Sequence, residues 1–306
     1  MEIFEFRAND GRKLKARKWL PQNEIKAILI GCHGSIEHSA RYNEFGEYLA
    51  ENGIAFFMHD YRNHGLSLNE NGEFGFFLEE GKGGFLQLLS DMEVFLNTVK
   101  TAYPDKDFYL FGHSMGSYLA RLFMKQKEES FKGLILSGTA DLGFLEPALV
   151  HLVATLFRKN NKKPSKFVHS LLFGTLNSRI GKTKTPSDFI CTDEGVIQRY
   201  LDDPLCGYVV SAEYIAEMMW ATRKSCTKEY YSLKDKKKPI FIFAGELDPC
   251  AGKGGKASEK TAENYKKYGQ ESVLSVIFPE MRHEILNEPA VKSEAFQMIK
   301  EFVVKN

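Results

Sequence analysis

The chain has 306 residues, 43% of them hydrophobic and 13% aromatic, enough to bury a substantial core. Its 41 Lys and Arg balance 40 Asp and Glu to a formal net charge of +1, so the overall charge offers no basis for binding nucleic acid or an anionic membrane. Five widely spaced cysteines (Cys32, Cys191, Cys206, Cys226 and Cys250), odd in number and without a C-x-x-C pair, argue against a disulfide framework and against a zinc site. The N-terminus "MEIFEFRANDGRKLKARKW" has no apolar signal-peptide core, and no run reaches the roughly eighteen apolar residues of a membrane span. A reduced cytoplasmic setting is the expectation.

In chain order, alternation over Met1–Arg7 and Lys13–Leu20 around Asn9-Asp10-Gly11 predicts an antiparallel hairpin. Continuous apolar runs then follow at Ala27–Ile30, Ile54–Met58, Phe108–Phe111, Gly133–Leu136, Ile240–Ala244 and Val273–Phe278. Segments of helical period lie between most of them, at Ser39–Glu51, Phe85–Thr101, Gly116–Lys127, Ala212–Tyr231, Lys256–Tyr268 and Pro289–Val304. Wholly apolar strands alternating with helices predict a mostly parallel sheet covered on both faces. From about Asp141 to Val210 the rhythm breaks, and the basic tract "RKNNKKPSK" reads as a loop. Leu145, Leu149, Leu152, Val153 and Leu156 share a helical face there, expected to pack on the main domain or to act as a lid toward substrate or lipid.

"FGHSMGS" carries the first chemical signal. Gly112-His-Ser114-Met-Gly116 matches the nucleophile elbow, where a strand turns sharply into a helix and presents a serine hydroxyl. That serine needs a histidine base and an acid to orient it, in the order Ser, Asp or Glu, His. Asp248 in "GELDPC" and His283 in "MRHEILNE" each follow a predicted strand, at the sheet edge where open α/β folds build their sites. Asp141 is the rival acid, whereas His59, His113, His151 and His169 are expected to be structural. An oxyanion requires backbone N–H donors, expected from Met115 at the helix start and from Ser35 after "CHG". "AGKGGKASEK" lacks phosphate-loop spacing, "KDKKKP" reads as a solvated turn, and Cys250 as an incidental small residue.

With these residues assembled, the sequence resembles the α/β-hydrolase superfamily, and within it the monoacylglycerol lipase and lysophospholipase-like serine hydrolases related to the serine aminopeptidase-like group. The resemblance rests on "HGSIEHSARY", "HDYRNHGLS", "GHSMGS", "DDPLCG", and "GELDPC" with "MRHEILNE", in the family's order. It implies an α/β-hydrolase fold with an eight-stranded, mostly parallel sheet flanked by helices. Residues 1–140 and 211–306 would form the core, with a helical cap over 141–210 inserted after the sixth strand. It also implies hydrolysis of a carboxylic ester without metal or organic cofactor, with Ser114 as nucleophile, His283 as base, Asp248 as orienting acid, and Ser35 and Met115 N–H as the oxyanion hole. Glu37 matches an acidic residue near the substrate's polar head, although a structural role at the helix entry is the simpler expectation. Asn63 stands where the family has glycine, and Ile36 replaces a small residue beside the oxyanion hole; both bear on the shape of the substrate pocket. Ile36, Leu145 and Leu149 are therefore carried forward as candidate substrate contacts. The implied partner is a small acyl ester such as a monoacylglycerol or lysophospholipid, with transient contact of the cap to a membrane surface. An aminopeptidase, a thioesterase or acyltransferase, and a ligand receptor with little turnover remain open alternatives.

Overall fold

The computed structural model describes residues 1–306, the side chains of residues 178 and 179 excepted. Eight strands form one sheet: β1 (Glu2–Arg7), β2 (Lys13–Trp19), β3 (Ala27–Cys32), β4 (Ile54–His59), β5 (Phe108–His113), β6 (Gly133–Ser137), β7 (Ile240–Gly245) and β8 (Val273–Phe278). Their spatial order is β1-β2-β4-β3-β5-β6-β7-β8, antiparallel from β1 through β2 to β4 and parallel from there on. Every predicted strand is present, and the reason is visible in the core. Ile28, Ile30, Leu110, Leu134, Leu136, Ile240 and Ile242 point to one face, and Leu29, Tyr109, Phe111, Ile135, Phe241 and Phe243 to the other. Both sets are buried, so period-two alternation leaves no polar positions in these runs.

The first face is covered by α2 (Gly84–Ala102), α3 (Met115–Gln126), α7 (Ala212–Ser225) and α9 (Lys256–Lys267), and the second by α1 (Asn43–Glu51) and α10 (Lys292–Lys305). Two predicted helices are each divided. Over 39–51 a 3-10 turn, Ser39–Tyr42, precedes α1, and the buried Asp60 carboxylate accepts the Ser39 N–H at 2.8 Å, fixing the entry. Over 212–231 the chain turns at Cys226 before the short α8 (Lys228–Tyr231), and the Arg121 guanidinium takes up the freed Ser225 carbonyl at 2.7 Å.

Between β6 and α7 lie α4 (Leu145–Leu156), α5 (Lys166–Leu172) and α6 (Glu194–Asp202). The leucines of the stripe are turned outward: Leu145 and Leu149 are 81% and 62% exposed, and Leu152 and Leu156 are exposed too, so of the two expected roles packing on the main domain does not occur. The opposite side of α4 is the one that docks: Pro147 and Ala154 are buried, and His151 Nδ1 donates to the Ala216 carbonyl of α7 at 2.8 Å. Arg158 adds an ion pair to Glu217 at 3.1 Å.

Candidate active site

β5 runs into α3 through Ser114, whose backbone sits at φ 52° and ψ −123°. For a non-glycine residue this costs about 1–3 kcal/mol and persists only where neighbours impose it. They do so here: Ser114 N–H donates to the Ser137 carbonyl at 2.9 Å, and Ser117 Oγ donates to the Ser114 carbonyl at 2.6 Å. The flanking glycines answer to close approach rather than to positive φ. A Cβ on Gly112 would lie 2.5 Å from the Gly116 carbonyl oxygen, and one on Gly116 would overlap the carbonyl oxygens of Cys32 and His33 at the end of β3. Gly116→Ala is therefore expected to destabilise by about 3 kcal/mol or more, read as a lower midpoint in urea, whereas Ala at the exposed, uncrowded Gly72 would cost only its φ of 69°.

Asp248 follows β7 and is buried. Its Oδ2 accepts from His283 Nδ1 at 2.9 Å and its Oδ1 from the Cys250 N–H at 2.7 Å. The carboxylate thus fixes the Nδ1–H form of the imidazole and leaves Nε2 free to accept a proton. Burial disfavours charge on His283, yet the adjacent Asp248 carboxylate and the Cys250 side chain together outweigh it and hold the imidazolium well above the ordinary histidine range. The loop bearing His283 is anchored by its own N–H to Phe189 O (3.2 Å) and by Glu284 N–H to Ile190 O (2.8 Å). Gly138, just past β6, makes room for the ring: a Cβ there would stand 2.9 Å from His283 Cε1.

Two adjoining cavities share Ser114, Ser35 and Cys250 in their walls. The larger is apolar, lined by Met115, Tyr118, Pro147, Val150, Leu172, Met218 and Met219 among others, with Glu146 at an exposed position. The smaller is more polar and includes His283, His113, Ile36, Glu37, Tyr200 and Glu284. Of the sequence candidates, Ser114, His283, Ser35, Met115, Ile36 and Glu37 meet at these cavities, and Asp248 stands behind His283. Leu145 and Leu149 do not; Pro147 and Val150 of the same helix take that place.

Glu37 is engaged by the protein itself. It accepts from Gly34 N–H (2.5 Å), Tyr42 OH (2.9 Å) and Arg41 (2.8 Å), while Arg41 also clasps Glu284 through two nitrogens. Burial raises the Glu37 carboxyl against the opposing pull of Arg41. Asp141, the rival acid, accepts from Tyr231 (2.8 Å), Asn264 (2.8 Å) and Lys260 (3.0 Å), tying its loop to α8 and α9. His59 lies among Phe6, Tyr61 and Phe95, and burial lowers it to about 4.

Asn63 and Ile36, the two departures from the family pattern, are both at positive φ, 60° and 56°. Asn tolerates that region, and its side chain is used: Oδ1 accepts from Arg12 and Nδ2 donates to the Phe76 carbonyl at 3.1 Å. Ile36 is β-branched and strained there. Three participants were not singled out from sequence as site residues: His113, whose ring centroid lies 4.7 Å from that of His283, Cys250 between the acid and the cavities, and Tyr214 beneath Ser35. The tight Asp-Pro-Cys turn was the one local signal for Cys250; Tyr214 had none.

A largely parallel sheet, a serine at a strained strand-to-helix corner and an Asp-bound histidine after the last two strands are the marks of an α/β hydrolase. The chain belongs to the serine aminopeptidase S33 family, whose model matches residues 23–290. Among curated proteins it is similar to the monoglyceride lipase of Rattus norvegicus, 25% identical over 295 residues and covering 91% of this chain and 86% of that protein. It is also similar to the monoacylglycerol lipase of Mycolicibacterium smegmatis, 22% identical with 90% and 87% covered. A thermostable carboxyl esterase from Bacillus coagulans, solved with glycerol, shares the fold at a TM-score of 0.90, with 24% identity and 99% and 97% of the chains covered. The chain is a hydrolase of this monoglyceride lipase group.

Proposed function

We propose that this hydrolase cleaves acyl esters through an acyl-enzyme on Ser114, with a monoacylglycerol or similar single-chain ester as substrate. One observation carries the reading: Ser114 opens on an apolar cavity suited to an acyl chain and on a smaller one where His283, Tyr200 and Glu37 offer polar groups to a hydroxylated leaving group. His283 Nε2 would take the Ser114 proton as Oγ attacks the ester carbonyl. The N–H groups of Ser35 and Met115 would receive the oxyanion, and the imidazolium would return the proton to the departing alcohol. Water then repeats the sequence on the acyl-enzyme to release the acid.

An aminopeptidase reading needs carboxylates free to hold a substrate ammonium. Glu37 and Glu284 share the single Arg41 guanidinium, and Glu37 also accepts from Gly34 N–H and Tyr42 OH, so their oxygens are already engaged within the protein, which favours the ester. Turnover on matched esters, thioesters and aminoacyl amides of increasing chain length tests this, and faster cleavage of the amide than of the ester would overturn it.

The region from 141 to 210 is read as a cap that meets lipid. Among the described residues no helix is long and apolar enough to cross a membrane. Phe144, the four leucines of the α4 stripe and Phe157 nevertheless form an exposed apolar strip, next to exposed Lys159, Lys163 and Lys166. Replacing Leu152 and Leu156 by Ser is expected to weaken sedimentation with phospholipid vesicles at least about tenfold while hydrolysis of a soluble short-chain ester is retained. Unchanged vesicle binding would rule out this face.

A further inference from the structure

Tyr214, on the first turn of α7 and fully buried, touches the side chains of both residues proposed above as oxyanion donors, Ser35 and Met115. Its hydroxyl lies 2.7 Å from Ser35 Oγ, 3.2 Å from His64 Nε2 and 3.3 Å from Met115 Sδ. Tyr214 has one proton and two neighbours that can only accept it, the weakly accepting Met115 thioether and a His64 nitrogen, and the stronger acceptor decides the direction. His64 Nδ1 stands 3.0 Å from the Arg62 carbonyl oxygen, which can only accept, so Nδ1 carries the proton. Burial lowers His64 to about 4, the ring is neutral near pH 7, and Nε2 is a bare acceptor. The Tyr214 hydroxyl satisfies it, because the opposite arrangement would bury that nitrogen without a donor at a cost of about 1–3 kcal/mol. The phenol oxygen is then left to accept the Ser35 hydroxyl proton. A one-way chain results, from Ser35 to Tyr214 to His64 to the Arg62 carbonyl.

The turn that this chain holds is under strain. Ile36, directly after Ser35, has a φ of 56°, a conformation that a β-branched side chain keeps only when its surroundings impose it. The Ile36 carbonyl accepts from Tyr200 OH and from Gly207 N–H, each at 3.2 Å, so the far side of the turn is fixed from the segment before α7. The Ser35 side chain is held by Tyr214, from a helix 179 positions further along the chain.

We propose that Tyr214 is a positioning residue for the oxyanion hole: its hydroxyl, anchored on His64, holds the Ser35–Ile36 turn so that the Ser35 N–H is aimed at the developing oxyanion. This rests on the reading of Ser114 as nucleophile and Ser35 N–H as anion donor. It adds a role for a residue that touches neither substrate nor the reacting atoms.

Tyr214→Phe removes the oxygen and keeps the ring, which stacks on Phe77 at 4.3 Å between centroids. Loss of an oxyanion donor costs about 100- to 1,000-fold in kcat, so a donor retained but loosened is expected to cost about tenfold. KM should stay within about twofold, and the affinity for a boronic acid that forms a tetrahedral adduct should fall by the same factor as kcat/KM. Ser35→Ala, at a half-buried site, should reproduce the loss, and the double variant should be no worse than either single one. Ser35→Ala carries the test if Tyr214→Phe does not fold. A fall in melting temperature with unchanged kcat and boronate affinity would mark a merely structural tyrosine and overturn the proposal, as would multiplicative losses in the double variant. Ser114→Ala assayed alongside separates the two readings. If it is inactive while Tyr214→Phe is normal, only the positioning role fails; if it is active, the nucleophile assignment fails.

Discussion

Ser114→Ala is expected to lower kcat on any ester substrate by roughly 10⁴- to 10⁶-fold and to abolish labelling by a fluorophosphonate probe, with the fold retained. The size of the effect follows from chemistry that has no substitute: without Oγ there is no acyl-enzyme, and the remaining donors only polarise a carbonyl. The elbow supplies a second, independent readout. Ser114 is held at φ 52°, and alanine keeps that strain, whereas Ser114→Gly relieves it. Ser114→Gly should therefore be as inactive as Ser114→Ala but more stable than it by about 1 kcal/mol, measured by urea unfolding. Equal labelling of wild type and Ser114→Ala would end the assignment. Equal stability of the Gly and Ala variants would mean that the corner is not strained.

Asp248→Asn is expected to reduce kcat by about 10⁴-fold, because the amide can neither enforce the Nδ1–H form of His283 nor stabilise the imidazolium. It also changes the pH dependence, and the sign can be worked out. In the native protein the Asp248 carboxylate and the Cys250 side chain raise the His283 pKa well above the ordinary value despite burial. The base works only when neutral, so kcat/KM should rise with pH, with a midpoint above the roughly 6.5 of a free histidine. Stability runs the other way. A group whose pKa is raised on folding contributes fully below its unfolded value and loses that contribution as pH rises through the folded one. From about pH 6.5 upward, wild type should therefore gain activity while losing some stability. The variant should show a lower midpoint and no such stability loss. A melting-temperature profile with the same slope in both proteins would show that the ion pair does not govern this range.

Legibility differed among the parts of the site according to how local their causes are. The elbow and the candidate acid could be read because each sits directly beyond a buried strand that announces itself as an uninterrupted apolar run, and the candidate base because it follows β8, a half-buried edge strand that is still largely apolar. Asp141 also follows a strand, and only the proline after Asp248 separates the two in the sequence; Tyr231, Lys260 and Asn264 engage Asp141 and tie it to α8 and α9. The four exposed leucines of α4 illustrate the opposite limit. A helical stripe says that one face is apolar, but it carries no record of what covers that face, and here none of the described residues does.

The sequence by itself determined the eight-stranded sheet, the order of its chemical groups and the corner at Ser114, since hydrophobic periodicity and turn chemistry act over a few residues. The tertiary structure alone decided which side of α4 faces the cavity, where the predicted helices break, and which side chains brace the site. Gly138 against His283, Gly116 against β3 and Tyr214 against Ser35 join residues far apart in the chain. Contacts of that kind depend on how whole elements pack, and no short-range pattern in the sequence encodes them.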